Sequence, residues 1–154
     1  MILTIQNYSE IGDLNKLTSI VSKQMKFIGA NDDPEKIGSA IKNALGENKR
    51  AIFFVKINDT KEYSGFAFCN ISSGLESGAD YIWINELYVE PEYRRKGVAS
   101  EIMNFIENWA KENGIKYIAT VTGKTNETAM GLYKKIGYEL GEIVWVEKKI
   151  KSKR

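Results

Sequence analysis

Histidine is absent from all 154 residues, and cysteine occurs once, at Cys69. The first absence excludes Ser–His and Cys–His nucleophilic catalysis and the usual zinc constellations. The second excludes an intrachain disulfide and a Cys-rich metal site, so no metal is expected. Cys69 itself lies in the apolar run Gly65-Phe-Ala-Phe-Cys-Asn-Ile71, where a small buried hydrophobe is expected and not a nucleophile. No apolar segment is long enough to span a bilayer, and no signal-peptide pattern follows Met1. Both absences point to the cytoplasm, with no membrane partner. Charge of one sign is lacking too: 22 Lys and Arg stand against 20 Asp and Glu, a net charge of +2. Such a balance gives no strong attraction to nucleic acid. Aromatic stacking platforms and a basic stripe are not evident either, which disfavours a nucleic-acid partner. Only the chain's end is uneven. Lys148, Lys149, Lys151, Lys153 and Arg154 form a basic tail over about 148–154, expected to be solvated and fraying.

What is present suits one domain over residues 1–154: 43% hydrophobic, 27% charged, with no internal repeat, linker or low-complexity tract. Residues 1–7 alternate as a short strand. Ser9 is expected to cap a helix whose apolar face is Leu14, Leu17, Thr18, Val21, Met25 and Ile28. Asp33-Pro34 opens a second helix, with Ile37, Ala40, Ile41, Ala44 and Leu45 as its buried stripe. Residues 50–57 and 63–72 read as an antiparallel hairpin, and the Ser- and Gly-rich residues 72–80 as a flexible connection. Residues 117–121 form a buried strand. Another helix starts at Thr125 or Asn126 and closes at Gly137, and residues 138–140 and 144–149 supply two last strands. The order β-α-α-β-β-β-α-β-α-β-β is mixed α/β, with a largely antiparallel sheet and one parallel step.

The informative stretch runs from Tyr81 to Met103. Ile82 to Val89 is dominated by β-branched and aromatic residues, as in a buried strand, and Pro91 breaks it. From Val98 the period changes: Val98, Ala99, Ile102, Met103, Ile106, Trp109 and Ala110 mark one face of a helix. Between them lies a basic loop containing Gly97. The first N–H groups of a helix have no internal partner and lie at its positive end. Arg94, Arg95 and Lys96 add charge there, and Gly97 allows close approach of backbone to a ligand. Charge and glycine alone describe an ordinary solvated loop equally well.

The pattern Arg94-x-x-Gly97-x-Ala99, following Leu87-Tyr88-Val89-x-Pro91, resembles the acyl-CoA-binding motif of the GNAT superfamily of N-acetyltransferases. A second stretch, Asn126-x-x-Ala129-x-x-Leu132-Tyr133-x-Lys135-x-Gly137-Tyr138, is similar to that family's other signature. The resemblance covers nearly the whole chain. It implies a GNAT-like fold, a mostly antiparallel six- to seven-stranded sheet flanked by four helices. It implies acetyl-CoA as cosubstrate, held by Arg94, Arg95, Lys96, Gly97, Val98, Ala99 and Ser100 around its pyrophosphate. The backbone of Leu87, Tyr88 and Val89 would pair with its pantetheine arm, exposed where the central strand splays from its neighbour and is bulged. Asn126 would help hold that arm, and Tyr133 would be the general acid. Taken only as structure, Asn126 is a helix cap, and Ala129, Leu132 and Gly137 are core positions and a terminator.

Acetylating an amine requires a neutral amine, oxyanion stabilisation and a proton for the leaving thiolate. Glu86 is the carboxylate within the central strand and the candidate base, acting through water. By strict alternation it shares a face with Ile84 and Tyr88, while Asn85 shares one with Trp83 and Leu87. Several relatives carry their acid at the position that Asn85 occupies. Asn85 with water is therefore the other candidate, and Glu86 then a structural carboxylate. The expected function is acetyl transfer from acetyl-CoA to a primary amine by direct attack in a ternary complex. Acidic residues Asp32, Asp33, Glu35, Glu76 and Asp80 in the loops favour a small cationic acceptor, polyamine- or aminoglycoside-like. The alternatives are a protein or peptide amine acceptor and a non-catalytic acyl-CoA-binding regulatory module. Homodimerisation is left open.

Overall fold

The computed structural model describes residues 1–46 and 48–153; Arg154 of the basic tail lies outside the described residues. It contains two compact units, Met1–Val121 and Thr122–Arg154. The first carries β1 (Ile2–Ile5), α1 (Leu14–Phe27), α2 (Pro34–Ala44), β2 (Ala51–Ile57), β3 (Tyr63–Gly74), β4 (Ala79–Val89), α3 (Val98–Glu112) and β5 (Tyr117–Thr120). The second carries α4 (Glu127–Lys135). The strands form one sheet in the order β1-β2-β3-β4-β5, antiparallel except for the β4–β5 step. The mixed α/β class and the four helices agree with expectation.

The sheet has five strands, not six or seven, because residues 138–140 and 144–149 form none. A strand exists only where its backbone groups enter a ladder, and β-propensity does not supply the partner. Val144, Trp145 and Val146 keep their side chains exposed.

Three local expectations change for identifiable reasons. Asp13, not Ser9, caps α1 by accepting from the Lys16 N–H at 3.0 Å. Ser9 instead sits in a 3-10 turn, Tyr8–Glu10, capped by Asn7. With its start moved, α1 buries Leu17, Ile20 and Gln24, while Ile28 is exposed. The Ser- and Gly-rich residues 72–80 form a hairpin, not a flexible link. β3 and β4 stay paired to Gly74↔Ala79, and Gly78 takes φ +64° at the turn. The cap of α2 is as expected: Asp33 accepts from the Glu35 N–H at 3.0 Å, and Pro34 opens the helix.

The first unit's sheet separates two apolar layers. Phe53, Val55, Phe66 and Tyr88 cluster with Leu17, Ile20, Ile37 and Ile41 from α1 and α2. On the other face, the Phe54 ring meets Phe105 and Trp109 of α3 edge-on, with centroids 5.8 and 5.7 Å apart. Gly65 of β3 fixes how closely α3 lies. A Cβ there would stand 3.2 Å from both Val98 and Ile102 and 2.9 Å from the Tyr88 carbonyl. Burial pushes the Cys69 thiol far up, so this cysteine is packing and not a nucleophile. No helix among the described residues is long and apolar enough to cross a membrane.

Candidate active site

The centre of β4 contains a β-bulge. Phe68 of β3 pairs with Glu86, but the next residue, Cys69, pairs with Ile84, so Asn85 is extra. The bulge corrects the facing expected from strict alternation. Beyond it, Glu86 follows Phe68 towards α1 and α2; before it, Ile84 follows Cys69 to the opposite layer. Asn85 Nδ2 donates to Asn70 Oδ1, which brings Asn85 to the same side as Glu86. The two candidates expected on opposite faces are neighbours on one face.

Glu86 is half-buried. Desolvation raises its carboxyl above the ordinary 4.5, opposed by a hydrogen bond from Gln24 Nε2 to its Oε2. Such an environment favours the neutral acid and makes the carboxylate a stronger base once formed. Gln24 is itself 5% exposed. Its Oε1 is buried without a hydrogen-bond partner among the described residues. Sequence reading missed Gln24, because a glutamine on a helix face carries no motif. Its i+4 spacing from Ile20 was the available signal.

Beside Glu86 lies a cavity of about 340 Å³, lined by α1, α2, β2 and β3. Its wall includes Val21, Met25, Ile37, Ala40, Ile41, Phe53, Phe66 and Phe68. Of the acidic loop residues, Asp33 is engaged in capping α2, and Asp80 accepts from Arg50 at 2.7 Å.

The other expected feature is the start of α3. β5 pairs with β4 only from Tyr81 to Ile84. Among the described residues, β4 has no strand partner on that side from Asn85 to Val89. A bulge was expected and is present; the β4–β5 pairing stops at Ile84↔Thr120, where β5 ends. The carbonyl of Val89 is nevertheless engaged, accepting from Arg94 Nε at 2.8 Å. Arg94 also lays its guanidinium over the rings of Phe27, 4.9 Å away, and Tyr88, 5.5 Å away. It therefore braces the junction as well as charging it. Lys96 stands 5.9 Å over the Tyr93 ring.

Arg95 and Gly97 both take positive φ, +59° and +82°. Gly97 is the N-cap of α3 and brings no side-chain cap. The helical ladder begins with the Glu101 N–H on the Gly97 carbonyl at 2.9 Å. The N–H groups of Val98, Ala99 and Ser100 precede that ladder. Space is open where a Gly97 Cβ would project, with nothing within 4 Å. The result is a helix start without a side-chain cap, with Arg94, Arg95 and Lys96 beside it in sequence, an arrangement whose electrostatics suit an anion.

Asn126 and Tyr133 belong to the second unit. Asn126 Oδ1 accepts from the Ala129 N–H at 3.1 Å and caps α4. Tyr133 is the buried residue of that helix, and its ring lies 5.7 Å from that of Tyr138.

Residues 15–138 match the model of the Acetyltransferase (GNAT) family. Aminoglycoside N(6')-acetyltransferase type 1 of Salmonella typhimurium is 25% identical over 83 residues, which are 52% of this chain and 57% of that protein. The matched stretch makes up 33% of the length of an N-acetyltransferase of Methanocaldococcus jannaschii, 57% of that Salmonella protein and 87% of an N-acetyltransferase of Bacillus subtilis. Among solved structures, that of a probable acetyltransferase superposes with a TM-score of 0.85 at 21% identity, covering 99% of both chains. An aminoglycoside N-acetyltransferase in complex with CoA gives a TM-score of 0.76 at 21% identity, covering 97% of this chain and 93% of the other. At these identities the superpositions show the fold.

Proposed function

The chain belongs to the acetyltransferase (GNAT) family, and from that premise we propose that residues 1–154 act as one cytoplasmic N-acetyltransferase domain. It takes its acetyl group from acetyl-CoA and gives it to the primary amine of a small cationic acceptor. The observation that carries the reading is the uncapped start of α3 behind Gly97, beside the unpaired edge of β4. The amides of Val98, Ala99 and Ser100 would take the pyrophosphate, with Arg95 and Lys96 supplying charge. Arg94 would hold the loop's shape. Leu87 and Tyr88 would offer backbone to the pantetheine amides as an added strand does, and Asn126 would assist. The CoA complex of a structural relative supports this cosubstrate.

In the proposed reaction Glu86 takes a proton from the acceptor's ammonium through water, Asn85 helping to hold that water. The freed amine attacks the thioester carbonyl directly, forming a C–N bond as the C–S bond breaks. Tyr133 gives its proton to the departing thiolate and is restored by the second proton, which the acylated nitrogen sheds through solvent. A small cationic amine as acceptor is supported by the acidic loops and by the aminoglycoside acetyltransferase among the relatives. The second reading, a protein amine, is favoured by one structural relative, a ribosomal-protein-alanine N-acetyltransferase with a TM-score of 0.75.

The deciding experiment follows release of free CoA thiol from acetyl-CoA across a panel of amines and N-terminal peptides. Amine-dependent release supports the enzyme. Calorimetric binding of CoA without release from any amine or peptide would leave a non-catalytic acyl-CoA-binding module.

A further inference from the structure

Resting on the amine-acetylation reading, we infer that the acceptor carries its reacting amine on an apolar body, as in an alkyl or arylalkyl monoamine. The cavity between α1, α2 and the sheet selects this class over polyamines and aminosugars. Its volume of about 340 Å³ falls in the range of small-molecule sites. The wall is aliphatic and aromatic, with Ile37, Ala40, Phe53 and Phe68 drawn from three elements. Glu86 and Lys36 are the charged residues among those that line it. A single ammonium is therefore matched by the single carboxylate. Beside that carboxylate, Gln24 Nε2 donates to Glu86 Oε2 and holds it in place.

The same wall acts against the polycationic and polyhydroxylated alternatives. A second ammonium would lose its water against Phe53, Phe68 and Ile37 without a second carboxylate to receive it, and Lys36 would repel it. The several hydroxyls of an aminosugar would find only Asn31, Lys36 and Glu86 as polar side chains on that wall. Alkyl or aryl surface is removed from water there at no such cost. Two of the loop carboxylates that favour a polycation are already engaged, Asp80 by Arg50 and Asp33 by the start of α2.

The test measures kcat/KM for hexylamine, 2-phenylethylamine, spermidine and kanamycin with the full chain and acetyl-CoA. The two monoamines should exceed the other two by about tenfold or more, the scale on which unpaired polar groups and lost apolar contacts discriminate. Ala40→Leu narrows the cavity from an exposed position on α2 and should depress 2-phenylethylamine more than hexylamine. Spermidine or kanamycin turned over as well as the monoamines would overturn the inference and leave acetyl transfer standing. If none of the four amines releases thiol, the small-amine reading falls, and an NMR titration with 2-phenylethylamine and spermidine decides the cavity. Shifts at Ile37, Ala40 and Phe68 with 2-phenylethylamine alone uphold the apolar specificity. Shifts with spermidine, or with neither, overturn it.

Discussion

The start of α3 and the cavity under α1 and α2 are two recesses made by opposite means. At α3 the working surface is backbone: three N–H groups ahead of the helical ladder, a left-handed glycine, and space where a Cβ would be. At the cavity it is side chain, with rings and aliphatic groups from four elements and one carboxylate. A backbone surface of this kind recognises what every molecule of a ligand shares, such as the charge of a phosphate group. A side-chain surface can be changed residue by residue without disturbing the first. On the proposed function, the difference would divide generality from specificity in this chain: the first surface would serve a common cosubstrate, the second a particular acceptor.

Substitutions can break that division, beginning with the backbone side. Gly97→Val puts a β-branched residue at φ +82°, a conformation that costs about 1–2 kcal/mol for L-residues. The variant should fold, with melting lowered by a few degrees. CoA affinity should fall about 100-fold, equivalent to about 2.7 kcal/mol. Calorimetric titration at unchanged affinity would remove α3 from the phosphate site.

Tyr133→Phe tests whether the second unit contributes a hydroxyl to the chemistry. Phenylalanine keeps the packing against Tyr138, so melting should hardly move. Turnover should drop roughly 10²-fold, the lower end of general-acid effects, with KM for acetyl-CoA little changed. A kcat within about twofold of the parent, with chemistry limiting, would make Tyr133 a core residue.

Glu86→Gln probes the cavity's carboxylate. Burial raises the Glu86 carboxyl above 4.5, so its base form fills as pH rises through that higher value. The parent's acid limb should lie there and vanish in the variant. The deficit, about tenfold or more, should be greatest above that limb, and close both below it and as pH approaches the acceptor's own pKa. Stability gives an independent check. A folded pKa above the unfolded one contributes stability that is complete below the unfolded value and lost as pH rises through the folded one. Relative to the parent, Glu86→Gln should therefore gain melting temperature with rising pH, measured by differential scanning. A pH–rate profile superimposable on the parent's would reassign Glu86 to structure.

The smallest effect is expected from Gln24→Met. It removes the hydrogen bond that holds the Glu86 carboxyl down, so the acid limb should move to higher pH with little change in the plateau. Thermal destabilisation with an unmoved limb would make Gln24 packing alone.

Much of this was legible because it is local. Pro34 after Asp33 announces the start of α2, and Gly97 ahead of Val98-Ala99 and an i, i+3, i+4 stripe announces α3. In each case the deciding interactions lie within one helical turn. Ser9 misled because Asp13 offers a cap just as local, nearer the first buried residue of α1, Leu17. The last two strands misled because β-propensity in residues 144–149 states what a segment can join, and pairing needs a partner that the segment does not contain.

The sequence by itself determined the family, the starts of α2 and α3, and the exclusion of His- and Cys-based chemistry. Each depends on residue type or on neighbours a few positions apart. Only the tertiary structure decided that Asn85 is the extra residue opposite β3, and hence that Glu86 leaves the face of Ile84 and joins that of Phe68. It alone brought Gln24 to Glu86 across 62 positions of sequence, and it alone closed α1, α2, β2 and β3 around one cavity. Register and cavities arise from long-range packing, where a one-residue slip reverses every facing, and no local pattern encodes that choice.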